Sequence, residues 1–551
     1  MSKELASSIE KAPIRAVYKA RGFSEEHISN AVIAVITAKS EAELGSARLS
    51  AVCEAVKQGV YASGGTPVEI SCLGAGIATG LEGDKFALPT RELIADGVES
   101  ILLSHSFDGA ILIPNCDGSV AGMLMGAVRA NIPAILVCGG PSEGGEIDGK
   151  KTDLYSVVEA AYGVKSGKVS RGDLEKLELN AISDDGKGSC YSSNAMASIS
   201  EALGIALSGN GTVPASSPKR IQLSRSAGEK IVSLAENDVR PRMILKREAF
   251  MNALALNAAM GGCADATLHI LAIANECGIS LGFDDISDVS DITPTLTGIS
   301  SDFHRDMIDF HRSGGVRAVL NQLSKLPSKC VYGDYMTVSG KKLSAIYENK
   351  EISGDAIAPA SAPISNKGGI AVLKGNIGDD GAIVERSCVP SGMTKFSGKA
   401  KVYDSIEDCV LAITGGKVSE GDVLVIRSVG PKGGPGMREV LSPVAALCSC
   451  GLNESVAIVT DGRIPDGVKG LVVGHVCPEA AVGGKIALIN NGDVIDIDVE
   501  AGKLNLKINA KEIAVRAKKY RPQDSEPQGW LLRYKYLVTS ADSGAVLKKK
   551  F

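Results

Sequence analysis

The sequence is poor in aromatic residues and in net charge, and it lacks long apolar runs. Aromatic residues make up 4% of its 551 residues, and the formal net charge of −5 comes from acidic and basic residues that alternate along the chain. Because no sustained basic stripe is present, we expect no nucleic-acid partner. No uninterrupted apolar run reaches the roughly 18 residues that a membrane helix needs, so we also expect no membrane partner.

Closely spaced cysteines and histidines are scarce as well. Of the thirteen cysteines only Cys448 and Cys450 lie close together, and residues 1–13 lack the apolar core of a secretory signal. This pattern favours reduced thiols and a cytoplasmic protein. The six histidines show no metal-ligand spacing, which argues against a histidine zinc site. We interpret His269 as a buried imidazole that bonds a backbone carbonyl.

Hydrophobic residues and glycine, by contrast, are plentiful. Hydrophobic residues make up 44% of the chain and glycine contributes 63 residues, which is enough for a large core and two or more domains. Strand-like and helix-like patterns alternate from residue 24 to residue 138. This alternation predicts an α/β N-terminal domain with a doubly wound parallel sheet. We place that domain at residues 1–365, with a helical segment at about 194–330.

The predicted secondary structure changes near residue 365. Short β-rich runs follow, separated by Gly, Asp and Asn turns, with few helices between them. The runs are 368–381, 400–412, 422–429, 457–460, 487–489 and 494–499. They predict a C-terminal β-rich, barrel-like domain over residues 366–551.

The clearest unit of the N-terminal domain is a βαβ motif around a polar turn. Apolar runs at 110–113 and 132–137 predict two buried strands, and the segment between them predicts a helix that follows the turn 115–119. The turn places a thiol, Cys116, and a carboxylate, Asp117, at the carboxyl end of a strand, where ligands of such sheets gather. The alternative is that Cys116 is a small core residue and Asp117 a helix cap.

A second candidate segment is the loop 430–439, GPKGGPGMRE, in the C-terminal domain. Its Gly and Pro content lets the backbone come close to a ligand, while Lys432, Arg438 and Glu439 supply fixed charge. The alternative is an ordinary wide loop. We predict that this loop takes part in ligand binding.

Several motifs, in order along nearly the whole chain, resemble one enzyme family. They lie at 87–96, 115–117 with 122–125, 201–204 with 209–212, 259–262, 368–373, 430–439, 460–463, 474–480 and 540–545. The chain resembles the dihydroxy-acid dehydratase and 6-phosphogluconate dehydratase family, enzymes that remove water from 2,3-dihydroxy sugar acids or branched acids. The resemblance implies an active site between the two domains, in a homodimer.

The resemblance also implies the parts of that active site. In the family an iron–sulfur cluster takes the leaving hydroxyl, Mg²⁺ holds the substrate carboxylate, and a serine alkoxide removes the C2 proton. Cys116 stands at the position of a cluster cysteine, and Asp117 and Glu439 stand at Mg²⁺ positions. By the same resemblance we expect a small carboxylate-containing ligand. The residues that we assign to this substrate are Lys432, Arg438 and Ser540.

The chain departs from the family at other metal positions. Gly118 replaces a lysine that is carbamylated in the family, and Ala75 lies where a Mg²⁺-binding aspartate is expected. One cluster cysteine aligns with Gly45, although a subgroup of true dehydratases also has glycine there. The last cluster position falls on Lys187 without a gap and on Cys190 with a short deletion. We expect a degraded iron–sulfur site and a weak Mg²⁺ site, or no cofactor.

The departure that bears most directly on catalysis is Pro465. It aligns with the serine base of the family, and proline cannot take a proton. Asp466 is adjacent and is our candidate base, with Lys187 as the second catalytic candidate; a carboxylate needs burial or a neighbouring negative charge to become an effective base.

Three functions fit these residues. The first is a hydro-lyase with a rearranged site, acting on or binding a small hydroxy acid or sugar acid between the domains. The second is another chemistry on the same scaffold without a cluster, using residues such as Lys187, Asp466 or Cys477. The third is a noncatalytic protein that binds an acid or a partner. We predict the first.

Overall fold

Continuous apolar runs form the N-terminal sheet in the computed structural model, which describes residues 2–42, 45–46, 48–75, 82–181, 191–299, 305–465, 469–522 and 526–549. Its strands are β1 (Val32–Thr37), β2 (Thr66–Ser71), β3 (Gly109–Ile113) and β4 (Ala134–Leu136). They pair in parallel in the order β2-β1-β3-β4. Every residue of β1 and β3 is buried, as expected for a parallel sheet with helices on both faces.

The chain changes direction across this sheet between β1 and β3. It passes from β1 outward to β2 and then returns past β1 to β3 and β4. The backbone N–H of Ala38 donates to the carbonyl of Ile113 at 2.9 Å, so the carboxyl ends of β1 and β3 lie side by side. This arrangement confirms the doubly wound sheet and its βαβ unit, and such a reversal is where ligands bind in open α/β sheets.

Helices surround the sheet and fill most of the remaining N-terminal part. The first are α1 (Ser2–Ser7), α2 (Ala12–Ala20), α3 (Glu25–Ser29), α4 (Leu49–Ala62), α5 (Ala87–Ser104), α6 (Asp117–Ala130), α7 (Leu154–Lys165), α8 (Arg171–Asn180) and α9 (Ala195–Ala202). They continue with α10 (Pro218–Glu236), α11 (Pro241–Ile244), α12 (Arg247–Ala259), α13 (Ala264–Cys277), α14 (Phe283–Ile292), α15 (Met307–Arg312), α16 (Gly315–Ser324) and α17 (Leu343–Tyr347). A hairpin of β5 (Gly145–Ile147) and β6 (Lys150–Thr152) precedes α7. None of the described helices is both long enough and apolar enough to cross a membrane.

Two close helix pairs fix the position of α6, the helix that follows the Cys116 turn. α4 packs against α10, and α5 packs against α6. A Cβ atom at Gly122 would lie 2.6 Å from the carbonyl oxygen of Arg91, and one at Gly126 would lie 2.6 Å from that of Ala95. Glycine is therefore required at both positions for α6 to approach α5 this closely. The close packing holds the N-terminus of α6 at the edge of the sheet.

The C-terminal part is built around one mixed sheet. Its strands are β7 (Ile370–Leu373), β8 (Gly381–Glu385), β9 (Lys395–Tyr403), β10 (Asp422–Ile426), β11 (Ala457–Thr460), β12 (Leu471–Cys477), β13 (Val494–Asp498) and β14 (Lys503–Leu506), in the order β14-β13-β9-β10-β11-β12-β8-β7. The two edges meet, because the Lys374 N–H donates to the Gly502 carbonyl at 2.9 Å and the Leu504 N–H donates to the Lys374 carbonyl at 3.0 Å. The predicted barrel-like domain is thus confirmed. The described helices here are α18 (Ile406–Thr414), α19 (Leu441–Cys450), α20 (Ala510–Lys519) and α21 (Trp530–Leu537).

Some predicted elements of this part are wrong. The run 400–412 is predicted to be β-rich, but it divides into the end of β9 and most of α18, because Ser405 caps a helix there. The run 487–489 falls largely in a short 3₁₀ turn, Lys485–Leu488. Most of the apolar residues in both runs are buried, in helical turns as well as in β9, whereas Leu411 is exposed.

His269 also differs from its prediction in one respect. It is buried, as expected, but its Nδ1 lies 3.5 Å from Nη1 of Arg91 rather than on a backbone carbonyl. Burial, together with the nearby arginines, holds the pKa of His269 well below its ordinary value. The ring is therefore neutral in the core.

Candidate functional site

Cys116 lies at the carboxyl end of β3, beside the point where the chain direction reverses. It occupies the N-cap position of α6 and is 7% exposed. The hydroxyl of Ser119 accepts the backbone N–H of Cys116 at 2.9 Å, which closes the turn. The Cys116 thiol donates to the carbonyl oxygen of Ala75. The side chain is thus buried, as in a core residue, but it lies at the edge of the sheet where a ligand could bind. Both interpretations of Cys116 therefore stay open.

Asp117 is the first residue of α6, and it caps a different helix. Its Oδ2 accepts the backbone N–H of Met196, in the first turn of α9, at 2.9 Å. A carboxylate is stabilised at a helix N-terminus by the free N–H groups there. Asp117 therefore links α6 to α9. It does act as a helix cap, as the alternative interpretation predicts, but it caps α9 and not its own helix.

The loop 430–439 is shaped by two buried carboxylates behind it. Asp461 accepts three backbone N–H groups at 2.9–3.1 Å, and Glu479 accepts those of Lys432 and Gly433 at 2.9–3.1 Å. Burial raises the pKa of Asp461 and raises that of Glu479 to about 7. Both residues lie in motifs that carried the resemblance, but their role in holding the loop is not visible in the sequence.

Glu439 belongs to a buried ion cluster that joins the two parts of the chain. Arg463 Nη2 lies 2.9 Å from Asp84 Oδ1 and 3.8 Å from Glu439 Oε2, and its Nη1 pairs with Asp265. The other oxygen of Asp84 accepts the backbone N–H of Glu439 at 2.7 Å. The side chain of Arg463 is 7% exposed and that of Asp84 is 5% exposed. One guanidinium thus neutralises carboxylates from both parts.

The charged forms of Glu439 and Asp84 are disfavoured, although Arg463 lies beside them. Burial raises the pKa of Glu439 well above its usual range, the negative charge of Asp84 and Asp265 raises it further, and Arg463 opposes the shift. Burial likewise raises the pKa of Asp84, again against the effect of Arg463. Such shifted carboxyl groups cluster at functional sites. The sequence did not indicate Asp84, Asp265 or Arg463 as candidates.

The three predicted substrate residues, Lys432, Arg438 and Ser540, have different contact partners among the described residues. Lys432 is half-buried, and its backbone is bound by Glu479. Arg438 donates to Glu407 Oε1 at 2.8 Å, and the Ser540 hydroxyl lies 3.3 Å from the sulfur of Cys477. Their roles in substrate binding stay predictions.

A cavity of about 240 Å³ lies where residues from both sides of position 365 meet. Its polar lining includes Thr297, Glu385, Arg386, Ser387, Lys469 and Glu500. Lys187, Cys190 and Asp466 lie outside the described residues, within a few positions of the lining residues Tyr191 and Lys469 in the sequence. Pro465, just before that gap, is buried. The sequence did not single out this cavity, because its walls come from segments far apart in the chain.

Comparison with known proteins identifies the family that shares this sequence. The sequence models of the dihydroxy-acid/6-phosphogluconate dehydratase N-terminal and C-terminal domains match residues 30–346 and 355–545. The chain belongs to this dehydratase family. It is 45% identical over 546 residues to the dihydroxy-acid dehydratase of Caldicellulosiruptor saccharolyticus, with 98% of each chain covered. It is 44% identical over 556 residues to that of Methanococcus vannielii, with 100% of each chain covered. The exact division of the chain at residue 365 stays a prediction.

The described donors do not fit the metal site that the dehydratase resemblance implied. Among the described residues, no group of three or more His, Cys, Asp and Glu side chains is arranged to hold a metal ion. Arg463 already supplies positive charge to Glu439, and one oxygen of Asp117 is taken by Met196. An iron–sulfur cluster is held by thiolates. The thiol of Cys116 donates its hydrogen to the Ala75 carbonyl instead. The second candidate ligand, Cys190, lies outside the described residues.

Titration of the purified protein with Mg²⁺, without substrate, should show no binding of micromolar or tighter affinity. Mg²⁺ prefers six oxygens in octahedral geometry, whereas Glu439 faces a fixed guanidinium. Isothermal titration calorimetry measures this directly, with Asp117→Asn as a control that should leave the trace unchanged. A micromolar dissociation constant that Asp117→Asn abolishes would contradict the prediction.

Proposed function

We propose that this member of the dehydratase family is a hydro-lyase with a rearranged active site, which takes a small hydroxy acid or sugar acid into the cavity between its two parts. The observation that carries the proposal is the chemistry of the cavity wall. It combines a buried carboxyl, Glu385, with two cations, Arg386 and Lys469, and with hydroxyl groups such as those of Thr297 and Ser387.

Each part of that wall suits one part of a hydroxy acid. A cation binds the carboxylate of the ligand through a charge-assisted hydrogen bond, and Lys469 is an exposed lysine of the cavity lining. Carboxyl and hydroxyl groups exchange hydrogen bonds with ligand hydroxyls. At about 240 Å³ the cavity is smaller than the roughly 300–1,000 Å³ of sites for drug-sized ligands, which favours small acids.

The relatives support the same class of ligand. The proteins compared above are named dihydroxy-acid dehydratases, and their alignments cover 98% and 100% of the chain. We extend the proposal to a homodimer, the assembly implied by the family resemblance, and to the cytoplasm, on the scattered cysteines of the sequence.

Binding tests the proposal without assuming catalysis. We expect the anaerobically purified protein to bind at least one of gluconate, 6-phosphogluconate and 2,3-dihydroxy-3-methylbutanoate, and to bind it more tightly than butanoate, which lacks hydroxyls. Lys469→Met should weaken binding by about 10-fold to 100-fold, because a hydrogen bond to a charged group contributes roughly 1.5–3 kcal/mol.

The control for this variant is Lys399→Met. Lys399 is an exposed lysine of β9 outside the cavity lining, so its replacement should leave affinity unchanged. Calorimetry that detects none of the three hydroxy acids up to about 10 mM, weaker than any specific site of this kind, would refute the proposal. Equal losses in both lysine variants would place the acid elsewhere.

A further inference from the structure

Glu385 is a buried carboxyl that joins the cavity to the helix behind it. It is the last residue of β8 and is 3% exposed. Its Oε1 accepts the backbone N–H of Ala264, the first residue of α13, at 2.7 Å. Its Oε2 accepts the Cys388 thiol at 3.5 Å. The Ala264 N–H therefore orients the carboxyl group through Oε1, while Oε2 accepts a weaker donor, the Cys388 thiol.

The surroundings of Glu385 bring its pKa close to neutral pH. Burial raises the pKa of Glu385 to about 7; the Ala264 N–H and the Cys388 thiol oppose this shift, and the negative charge of Asp265 adds to it. Glu439 also lies close enough for its own pKa to be raised by Glu385. At neutral pH Glu385 thus exists in both forms, which is the condition under which a carboxyl group can both accept and return a proton.

We propose that Glu385 removes the C2 proton of a hydroxy acid bound in the cavity and returns it to the departing hydroxyl. This inference rests on the proposed function. It is carried by the geometry: a carboxyl group oriented by α13 lines a cavity of suitable size. The residue that the resemblance aligns with a serine base is Pro465, which cannot take a proton. Glu385 takes the place of Asp466 as the first candidate for the base.

The step balances without any further reactant. The C2–H bond breaks, its proton goes to Oε2 of Glu385, and its electron pair forms the C2=C3 double bond as the C3–O bond breaks. The departing oxygen takes the proton from Glu385 and leaves as water, which restores the carboxylate. The enol then tautomerises to the 2-keto acid. The net change is one dihydroxy acid to one 2-keto acid and one water.

A conservative pair of variants tests this role. Glu385→Gln keeps an oxygen for the Ala264 N–H but cannot take a proton, whereas Glu385→Asp keeps the carboxylate. Formation of 2-keto acid from C2-protonated and C2-deuterated 2,3-dihydroxy-3-methylbutanoate, gluconate and 6-phosphogluconate is followed together with their affinities. Glu385→Gln should lower the rate by about 10²–10⁴-fold, the usual effect of removing a general base, with affinity changed by less than about threefold.

The matched control is Glu420→Gln, because Glu420 is an exposed glutamate of the C-terminal part that lies outside the cavity lining. Its rate should stay within about twofold of the unmodified protein, a change too small for a lost base. The unmodified rate should rise with pH through about 7, as Glu385 loses its proton, and show a deuterium isotope effect. Glu385→Asp should retain more activity than Glu385→Gln and titrate at a different pH.

The outcomes separate this inference from the proposed function. Full activity in Glu385→Gln, or an equal loss in Glu420→Gln, overturns the role of Glu385. If the unmodified protein binds the acids but forms no 2-keto acid, binding stands and the base role fails. If it binds none of them, the proposed function itself fails. Thermal unfolding of each variant shows whether a loss of rate reflects a loss of fold.

Discussion

Replacing Arg463 with methionine should lower the free energy of unfolding by about 3–5 kcal/mol, the usual cost of removing one partner from a buried ion pair. The variant leaves Asp84, Asp265 and Glu439 without the guanidinium that neutralises them. It also removes the hydrogen bond from Nε to the Met437 carbonyl, 2.9 Å long. Urea unfolding at pH 8, followed by circular dichroism, measures the loss.

The difference between variant and unmodified protein should shrink as the pH falls from 8 to 5. The pKa values of Asp84 and Glu439 are already raised by burial, so without Arg463 these groups take up protons first as the solution is acidified. Protonation removes the unpaired buried charge and with it part of the penalty. A penalty that grows on acidification would contradict this account.

Arg240→Met is the matched control for Arg463→Met. Arg240 pairs with Asp238 at 2.7 Å, but the two side chains are 46% and 63% exposed. Exposed ion pairs contribute roughly 0–1 kcal/mol, so the control should change stability little. If Arg463→Met costs no more than Arg240→Met, the cluster does not hold the two parts of the chain together.

The importance of Arg463 shows where sequence reasoning stops. Its motif, 460–463, helped to establish the family resemblance. Its partners Asp84 and Asp265 are 379 and 198 residues away, and no local pattern links such distant positions. By contrast, the Cys116 turn was predictable, because the strand before it and the helix after it are neighbours in the chain and their apolar periods differ.

Glu385 illustrates the same limit for the site. In the sequence it ends an apolar run that was not predicted as a strand of its own. Its significance comes from burial and from the contact with Ala264, 121 residues away. A pKa shift depends on what surrounds a carboxyl group in space. The sequence could therefore nominate charged residues in loops, such as Arg438, more readily than a carboxyl group made unusual by its surroundings.

The second large effect concerns rate. We expect this protein to dehydrate 2,3-dihydroxy acids at least about 10²-fold more slowly than the Caldicellulosiruptor saccharolyticus relative assayed beside it. Gly118 and Ala75 supply no charged group at two positions where the resemblance places metal-binding side chains. Loss of one group that stabilises developing charge commonly costs 10²–10³-fold in rate. Even with Glu385 as base, that deficit remains.

The assay is anaerobic formation of 2-keto acid from aldonic, phosphoaldonic and branched dihydroxy acids. Pro465→Ser, alone, should raise the rate little, because Glu385 already serves as base in our proposal and a serine adds no charge stabilisation. Gly118→Lys adds the missing side chain at a position where a Cβ atom would lie 3.1 Å from the Cβ of Ala75, so a small shift there is needed. Turnover by the unmodified protein at or above roughly 1 per second, an ordinary enzymatic rate, would show that its own residues already provide the missing charge stabilisation.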